Sequence, residues 1–200
     1  MNHKNFLKVL LVGGLLLSAN SLFASTKLYQ GLGKSSNFRV GPGKDSKGVN
    51  VYSLNYVTAS GVFDEEGKVV SLKVDALEIS TPNYDGPSMP HFSGWPNTQG
   101  YNVTDHESGE VVAVSENTVE NITKEVENWK TKRERGAEYG MNPRNEWNKQ
   151  MNFFENYFKG KTVAEIEEWF AKYTSDVNGR PLKACLLYTS PSPRDGLLSR

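Results

Sequence analysis

Apolar residues repeat with two periods along the chain, two residues in the first half and 3.6 in the second. Residues 49–62 alternate over much of their length. Val51, Leu54, Tyr56, Val57 and Val62 are β-branched, aromatic or aliphatic, which is the pattern of a strand with one wet face. Residues 68–79 repeat the pattern with Val70, Leu72, Val74, Ala76 and, less regularly, Leu77 and Ile79. Asp64-Glu65-Glu66-Gly67 lies between them as a turn, with Gly67 free to take positive φ. The pair predicts an antiparallel hairpin. Upstream, residues 25–50 are rich in Gly, Ser and Lys, so residues 29–33 and 40–44 read as a short strand and then turns. Gly31, Gly33 and Gly48 fit neither phosphate-loop spacing, and plain turn chemistry is the better reading.

Residues 81–117 are long and irregular, with prolines at 82, 87, 90 and 96. Phe92 and Trp95 at their centre argue for docking, because aromatic surface is costly to leave in water. Three helices follow. The first spans residues 118–135, with Val119, Ile122, Val126 and Trp129 on one face and Gly136 as its stop. The second opens at Asn142-Pro143, carries the stripe Trp147, Met151, Phe154 and Phe158, and ends at Gly160. The third begins with a capping box, Thr162 to Glu165, and buries Ile166, Trp169, Phe170 and Tyr173. The expected fold is α+β: an antiparallel sheet packed by helices, its hairpin covered by the helices bearing Trp147 and Phe154.

The two ends stand apart. Residues 1–24 join a basic start, Lys4 and Lys8, to a nine-residue apolar run and a small residue, Ala24, at the cut. That is the order of a secretory signal, and the run is too short to span a bilayer. An uncleaved anchor is the weaker alternative. No cysteine follows the run, so the expected product is an exported, periplasmic or extracellular protein without a lipid anchor. Residues 185–200 have no periodicity. Cys185 to Asp195 resembles the translation of a sequencing-library adapter, so this tail is expected to be unpacked, and the natural chain is expected to continue past Ala184. The competing reading is a genuine Ser/Pro tail. The sole cysteine lies in that tail, which removes disulfides and thiolate metal sites from residues 25–184.

Charge changes the picture further. Removing Lys4, Lys8, Arg194 and Arg200 from 23 basic residues leaves 19, and removing Asp195 from 23 acidic residues leaves 22, a net charge of −3 for residues 25–184. A mildly acidic chain argues against nucleic acid as a partner, because phosphate binding needs a basic stripe. His91 and His106 have no third ligand at metal spacing and read as surface histidines. Glu165, Glu167 and Glu168 lie in a first helical turn, where carboxylates oppose the macrodipole. No hydrolase triad can be assembled from spacing. Lys130, Lys132, Arg133 and Arg135 cluster before Gly136, where on charge alone they would offset a helix C-terminus.

Lys132-Arg133-Glu134-Arg135-Gly136-Ala137-Glu138-Tyr139-Gly140-Met141 resembles the K-x-x-L/R-G-x-x-Y-x-M signature of exported bacterial FMN-binding-domain proteins, which are similar to the pheromone-lipoprotein type and distantly related to flavin subunits of quinone reductases. Three further segments resemble the same family in order: 63–71 its F-D-x-x-G-K hairpin, 157–166 its G-K-T-V segment, and 173–182 a stretch of one subgroup. The resemblance covers roughly residues 29–183. It implies electron transfer through FMN outside the cytoplasm, with a flavin transferase and membrane redox proteins as partners. It also implies an S-G-A-T sequence whose threonine carries the flavin, and no S-G-A-T occurs here. On this reading Lys132, Arg133, Arg135, Tyr139 and Met141 border the flavin at the Gly136 break, Tyr139 as its direct contact, with Trp95 and Phe92 as a lid. Tyr139 and Met141 packing only the helix junction is the equal alternative for those two. A non-catalytic exported binding or adhesion module is the alternative for the whole.

Overall fold

The structure, a computed structural model, describes residues 27–84, 89–140 and 146–175. The 1–24 signal segment, Met141, the Asn142-Pro143 helix start, residues 176–184 and the 185–200 tail lie outside them. The described residues form two compact units. The first draws on residues 27–35, 57–75 and 148–175, the second on 36–56, 76–84, 89–140 and 146–147. Three long strands contribute residues to both: β1 (Tyr29–Lys44), β2 (Asn50–Phe63) and β3 (Val69–Ser80). They form an antiparallel sheet in the order β1-β2-β3. The α+β class and the β2–β3 hairpin therefore stand as the periodicity predicts. The Asp64 carboxylate builds the turn, accepting from the Glu66 and Lys68 amides at 3.0 and 2.9 Å, and Gly67 sits at φ 75°.

The N-terminal segment differs from the expectation of a short strand and turns. β1 runs for 16 residues. Its Gly31, with Gly61 of β2, serves packing. A Cβ at Gly31 would meet the Phe63 ring at 3.3 Å, and one at Gly61 would meet it at 2.9 Å. Two strands thus give up side chains to make room for one aromatic ring, and a sequence rich in glycine reads as loop when it is sheet.

In the first unit, Val57, Ala59, Val69, Leu72 and Val74 supply the sheet's share of the core. Two helices supply the rest, α3 (Trp147–Tyr157) and α4 (Val163–Tyr173), named here in chain order after the two helices of the second unit. Phe158, Ile166 and Trp169 are buried. The Thr162–Glu165 capping box is formed as predicted. The predicted stripe of α3 is only partly right. Phe158 is buried, but the buried residue within the helix is Glu155, whose carboxylate accepts from the Val74 amide at 2.7 Å and pairs with Lys73 at 3.1 Å. After Gly160 (φ 75°) the chain pairs with the start of β3, Gly160 donating to Val69 at 2.8 Å and Val69 to Lys161 at 2.9 Å.

The second unit departs further from expectation. Residues 81–117 contain an antiparallel pair, β4 (Asn102–Thr104) and β5 (Val111–Val114), in the register Asn102↔Val114. Asp105 closes the hairpin by accepting from the Glu107 and Ser108 amides, and Gly109 takes φ 72°. The expected 118–135 helix is broken. It becomes α1 (Val119–Glu127) and a single-turn α2 (Lys132–Arg135), followed by a 3₁₀ turn, Gly136–Tyr139. Thr131 causes the break: its hydroxyl accepts from the Glu134 amide while Glu134 reaches back to the Thr131 amide, so a new helix starts there. The expected buried face of α1 is not buried, with Val119 70% and Val126 44% exposed. Among the described residues no helix is long and apolar enough to cross a membrane.

Candidate functional site

Glu78 is the centre of the second unit's polar interior. It lies on β3 in the inward row Ala76, Glu78, Ser80, where an apolar residue is the norm. Its side chain is 3% exposed. Arg39 of β1 reaches it at 2.5 Å, Lys132 of α2 at 2.8 Å, and the Tyr139 hydroxyl donates to it at 3.4 Å. Arg39 also donates to Ser53 of β2 at 2.7 Å. β1, α2 and the turn bearing Tyr139 are thereby tied to one buried negative charge, with β2 linked through Arg39. Burial works against the Lys132 charge, but Tyr139 and Glu78 outweigh it, and its pKa is raised.

The Thr131 capping box decides which way the basic segment faces. It starts α2 so that Lys132 and Arg135 lie inward. Lys132 sits over the Tyr139 ring at 4.7 Å and Arg135 at 5.0 Å from its centroid. Arg135 also donates to the Met89 sulfur at 3.3 Å. Burial lowers the Arg135 pKa, with Tyr139 and Glu78 pulling the other way. Arg133 lies over Trp147 at 5.8 Å. These cations belong to their own helix and do not offset the end of α1. Tyr139 is 5% exposed. Of the seven predicted site residues, Lys132, Arg135 and Tyr139 are thus brought into one buried cluster, Arg133 stands beside it, and Met141 lies outside the described residues.

Phe92 and Trp95 form a second centre. Their rings meet edge-on at 5.3 Å, and Phe92 meets Trp129 edge-on at 6.4 Å. The Trp129 indole donates to the His91 carbonyl at 2.8 Å. Trp95 is 71% exposed and lines a groove of about 530 Å³ with Val49, Thr98, Gln99, Tyr101 and Asn102. The sequence reading missed Glu78, Arg39 and Tyr101. A lone acid inside an otherwise apolar strand row was the available signal for Glu78.

His91 is not the surface histidine expected. It pairs with Ser80 at the end of β3, and its Nε2 is buried without a hydrogen-bond partner. Burial lowers its pKa below 6.5, aided by Arg135 and opposed by Glu125. The folded protein therefore binds this proton less readily than the unfolded chain. His91's contribution is fully present above pH 6.5 and is lost as pH falls below it. Urea unfolding in steps from about pH 7 to 5 is expected to show falling stability, and His91→Gln should flatten that part of the profile. An identical profile in the variant would place the titration elsewhere. Among the described residues no three His, Cys, Asp or Glu side chains are grouped to hold a metal ion.

Comparison with known proteins adds one relationship. The chain is 38% identical over 164 residues to the chlorophenol reductase of Desulfitobacterium hafniense. The match takes in 80% of this chain and 42% of the reductase, so the chain spans less than half of its relative's length. No protein-family model and no solved structure matches. The chain is therefore related to part of a redox enzyme.

Proposed function

We propose that this chain is part of an exported redox protein that carries electrons through FMN. The observation that carries the redox reading is the 164-residue match to a reductase. FMN rests on the resemblance of the 132–141 segment to exported flavin-binding domains. Bound flavin would supply one- and two-electron chemistry that no side chain here supplies, leaving the protein to position and shield it.

The residues fit the ring end of that group better than its phosphate. Lys132 and Arg135 are occupied by Glu78, Tyr139 and Met89. The resemblance assigns the phosphate to a covalent threonine further along the protein, so these cations are not needed for it. Trp95 presents an open aromatic face, with Phe92 behind it. Tyr139, packed under two cations, acts as a positioning residue that holds the Gly136 break against Glu78. A flavin transferase and membrane redox proteins are the partners this reading calls for. The relative is named for chlorophenol, so a chlorinated phenol is the first acceptor to offer the reduced protein.

The test is the full-length protein made in cells that supply the transferase and export machinery. It should be recovered outside the cytoplasm and be yellow, and Tyr139→Ala should shift its flavin potential or absorption. An unchanged spectrum and potential would remove Tyr139 from the flavin's surroundings. A colourless protein would remove the flavin and leave the exported binding module.

A further inference from the structure

Trp95 is exposed, yet it is held from several sides. Phe92 meets the indole edge-on, and Trp129, anchored on the His91 carbonyl, meets Phe92. The Trp95 carbonyl accepts from the Thr98 hydroxyl at 2.6 Å and the Thr98 amide at 3.1 Å. Below this turn Asn117 donates from Nδ2 to the Thr98 carbonyl, the Thr98 hydroxyl and the Gln99 carbonyl, at 3.0–3.2 Å. Its backbone carbonyl takes the Asn97 amide at 3.0 Å. Two oxygens are carbonyl acceptors, so the amide orientation of Asn117 is fixed, and its Oδ1 is buried without a partner.

The backbone here is also constrained. Asn97 takes φ 66°, the one positive value at a non-glycine among the described residues. Gly94 sits at φ 121°, and a Cβ there would lie 2.8 Å from Asn117 Nδ2. At Gly100 a Cβ would lie 1.8 Å from the Ser115 carbonyl oxygen. The loop is tied from beneath, carries two crowded glycines and a positive-φ asparagine, and holds Trp95 71% exposed. Such constraint is typical of a segment kept in shape for a ligand.

The groove's volume of about 530 Å³ lies within the ~300–1,000 Å³ of small-molecule sites. Its lining is Trp95, Tyr101 and Val49 on the apolar side and Thr98, Gln99 and Asn102 on the polar side. No charged side chain is among them. Asn102 donates from Nδ2 to the Asp45 carboxylate at 2.8 Å, so an anionic ligand would be repelled there, whereas a flat neutral ring would find a platform and the Gln99 amide.

We propose that this groove binds an uncharged planar aromatic ring stacked on Trp95, with its hydroxyl or carbonyl substituents facing Gln99. The inference does not depend on the flavin reading. The flavin's own ring and a diffusible phenol-like molecule share this chemistry, and the groove would select either through the same contacts.

The test uses the full mature chain without covalent flavin, titrated separately with riboflavin and with 1-naphthol. The chain has four tryptophans, so the Trp95 indole N–H resonance can be assigned by its loss in Trp95→Ala. It should shift saturably, and equilibrium dialysis should show affinity about tenfold weaker in Trp95→Ala and largely kept in Trp95→Tyr. Gln99→Ala should weaken binding severalfold, with thermal midpoints unchanged in all three variants. Saturation by riboflavin alone assigns the groove to the flavin ring. Saturation by naphthol, alone or as well, assigns it to a diffusible aromatic. No saturable shift with either probe, or affinity indifferent to Trp95, overturns the proposal. A colourless full-length protein would sink the flavin reading and leave this one standing.

Discussion

Replacing Glu78 by alanine is expected to lower stability by about 3–5 kcal/mol, the cost of breaking a buried ion pair by removing one partner. The magnitude follows from what is left behind. Lys132 is 12% exposed at its side chain and cannot regain full hydration without moving α2. Arg39 is 43% exposed, so water can recover part of its loss, and the lysine carries most of the penalty. The Tyr139 hydroxyl would lose its acceptor as well. Glu78→Gln separates charge from shape: it keeps the volume and still strands the Lys132 ammonium, so it should cost nearly as much. Adding Lys132→Met to Glu78→Gln should restore much of the loss, because the unpaired charge goes with its partner. Urea unfolding of the wild type, Glu78→Gln, Lys132→Met and the double variant gives the cycle, with Glu78→Ala measured beside them. A Glu78→Ala cost below about 1 kcal/mol would mean that the cluster is as well hydrated as a surface pair.

The large elements were legible where one physical signal governed them. The β2–β3 hairpin has alternation on both sides of a carboxylate-capped turn, and α4 has a capping box followed by a 3.6-residue apolar face. The misreadings share a cause: a residue type with two uses was assigned the commoner one. Glycine usually marks turns, but Gly31 and Gly61 clear space for the Phe63 ring inside a strand. Val111-Val112-Ala113-Val114 is a strand signal in itself, but it is four residues long and follows a polar stretch rich in Asn, Asp, Ser and Gly. In the 118–135 segment, helical periodicity outvoted the local capping of Thr131, though Thr131–Glu134 has the same spacing as the capping box that was recognised at Thr162–Glu165.

The candidate site was harder to read for an electrostatic reason. Lys132, Arg135 and Tyr139 could be named as a group, but their common partner could not. Acid residues in strands and helices are read as solvent-facing, whereas Glu78 on β3 and Glu155 on α3 both occupy inward positions. A cluster of cations then looks like a site awaiting an anion, when its anion is 54 residues upstream of Lys132 and already bound. Of the two aromatics that the proline-rich loop brings forward, Trp95 lines the groove, whereas Phe92 packs between Trp95 and Trp129.

Phe158→Ala is expected to cost about 3–5 kcal/mol, the range for truncating a buried aromatic ring. Phe158 is 1% exposed. Its ring stacks on Phe154 at 6.0 Å and meets Tyr157 and Trp169 edge-on, both at 5.5 Å, with Phe170 tilted at 5.6 Å. The ring therefore joins α3 to α4. Collapse into the resulting void is restricted, because the chain beyond it is fixed to β3 through the Gly160 and Lys161 backbone bonds. The void should stay open, and its cost adds to the lost transfer energy. Phe153, in the same helix and 45% exposed, provides the contrast: it stacks on Tyr157 at 6.0 Å but faces water, so Phe153→Ala should cost about 1 kcal/mol or less. Urea unfolding followed by far-ultraviolet circular dichroism and by tryptophan fluorescence would measure both, since Trp169 reports on the cluster itself. Equal costs for the two substitutions would mean that the aromatic cluster packs loosely, and the assignment of Phe158 as the pivot between α3 and α4 would fall with it.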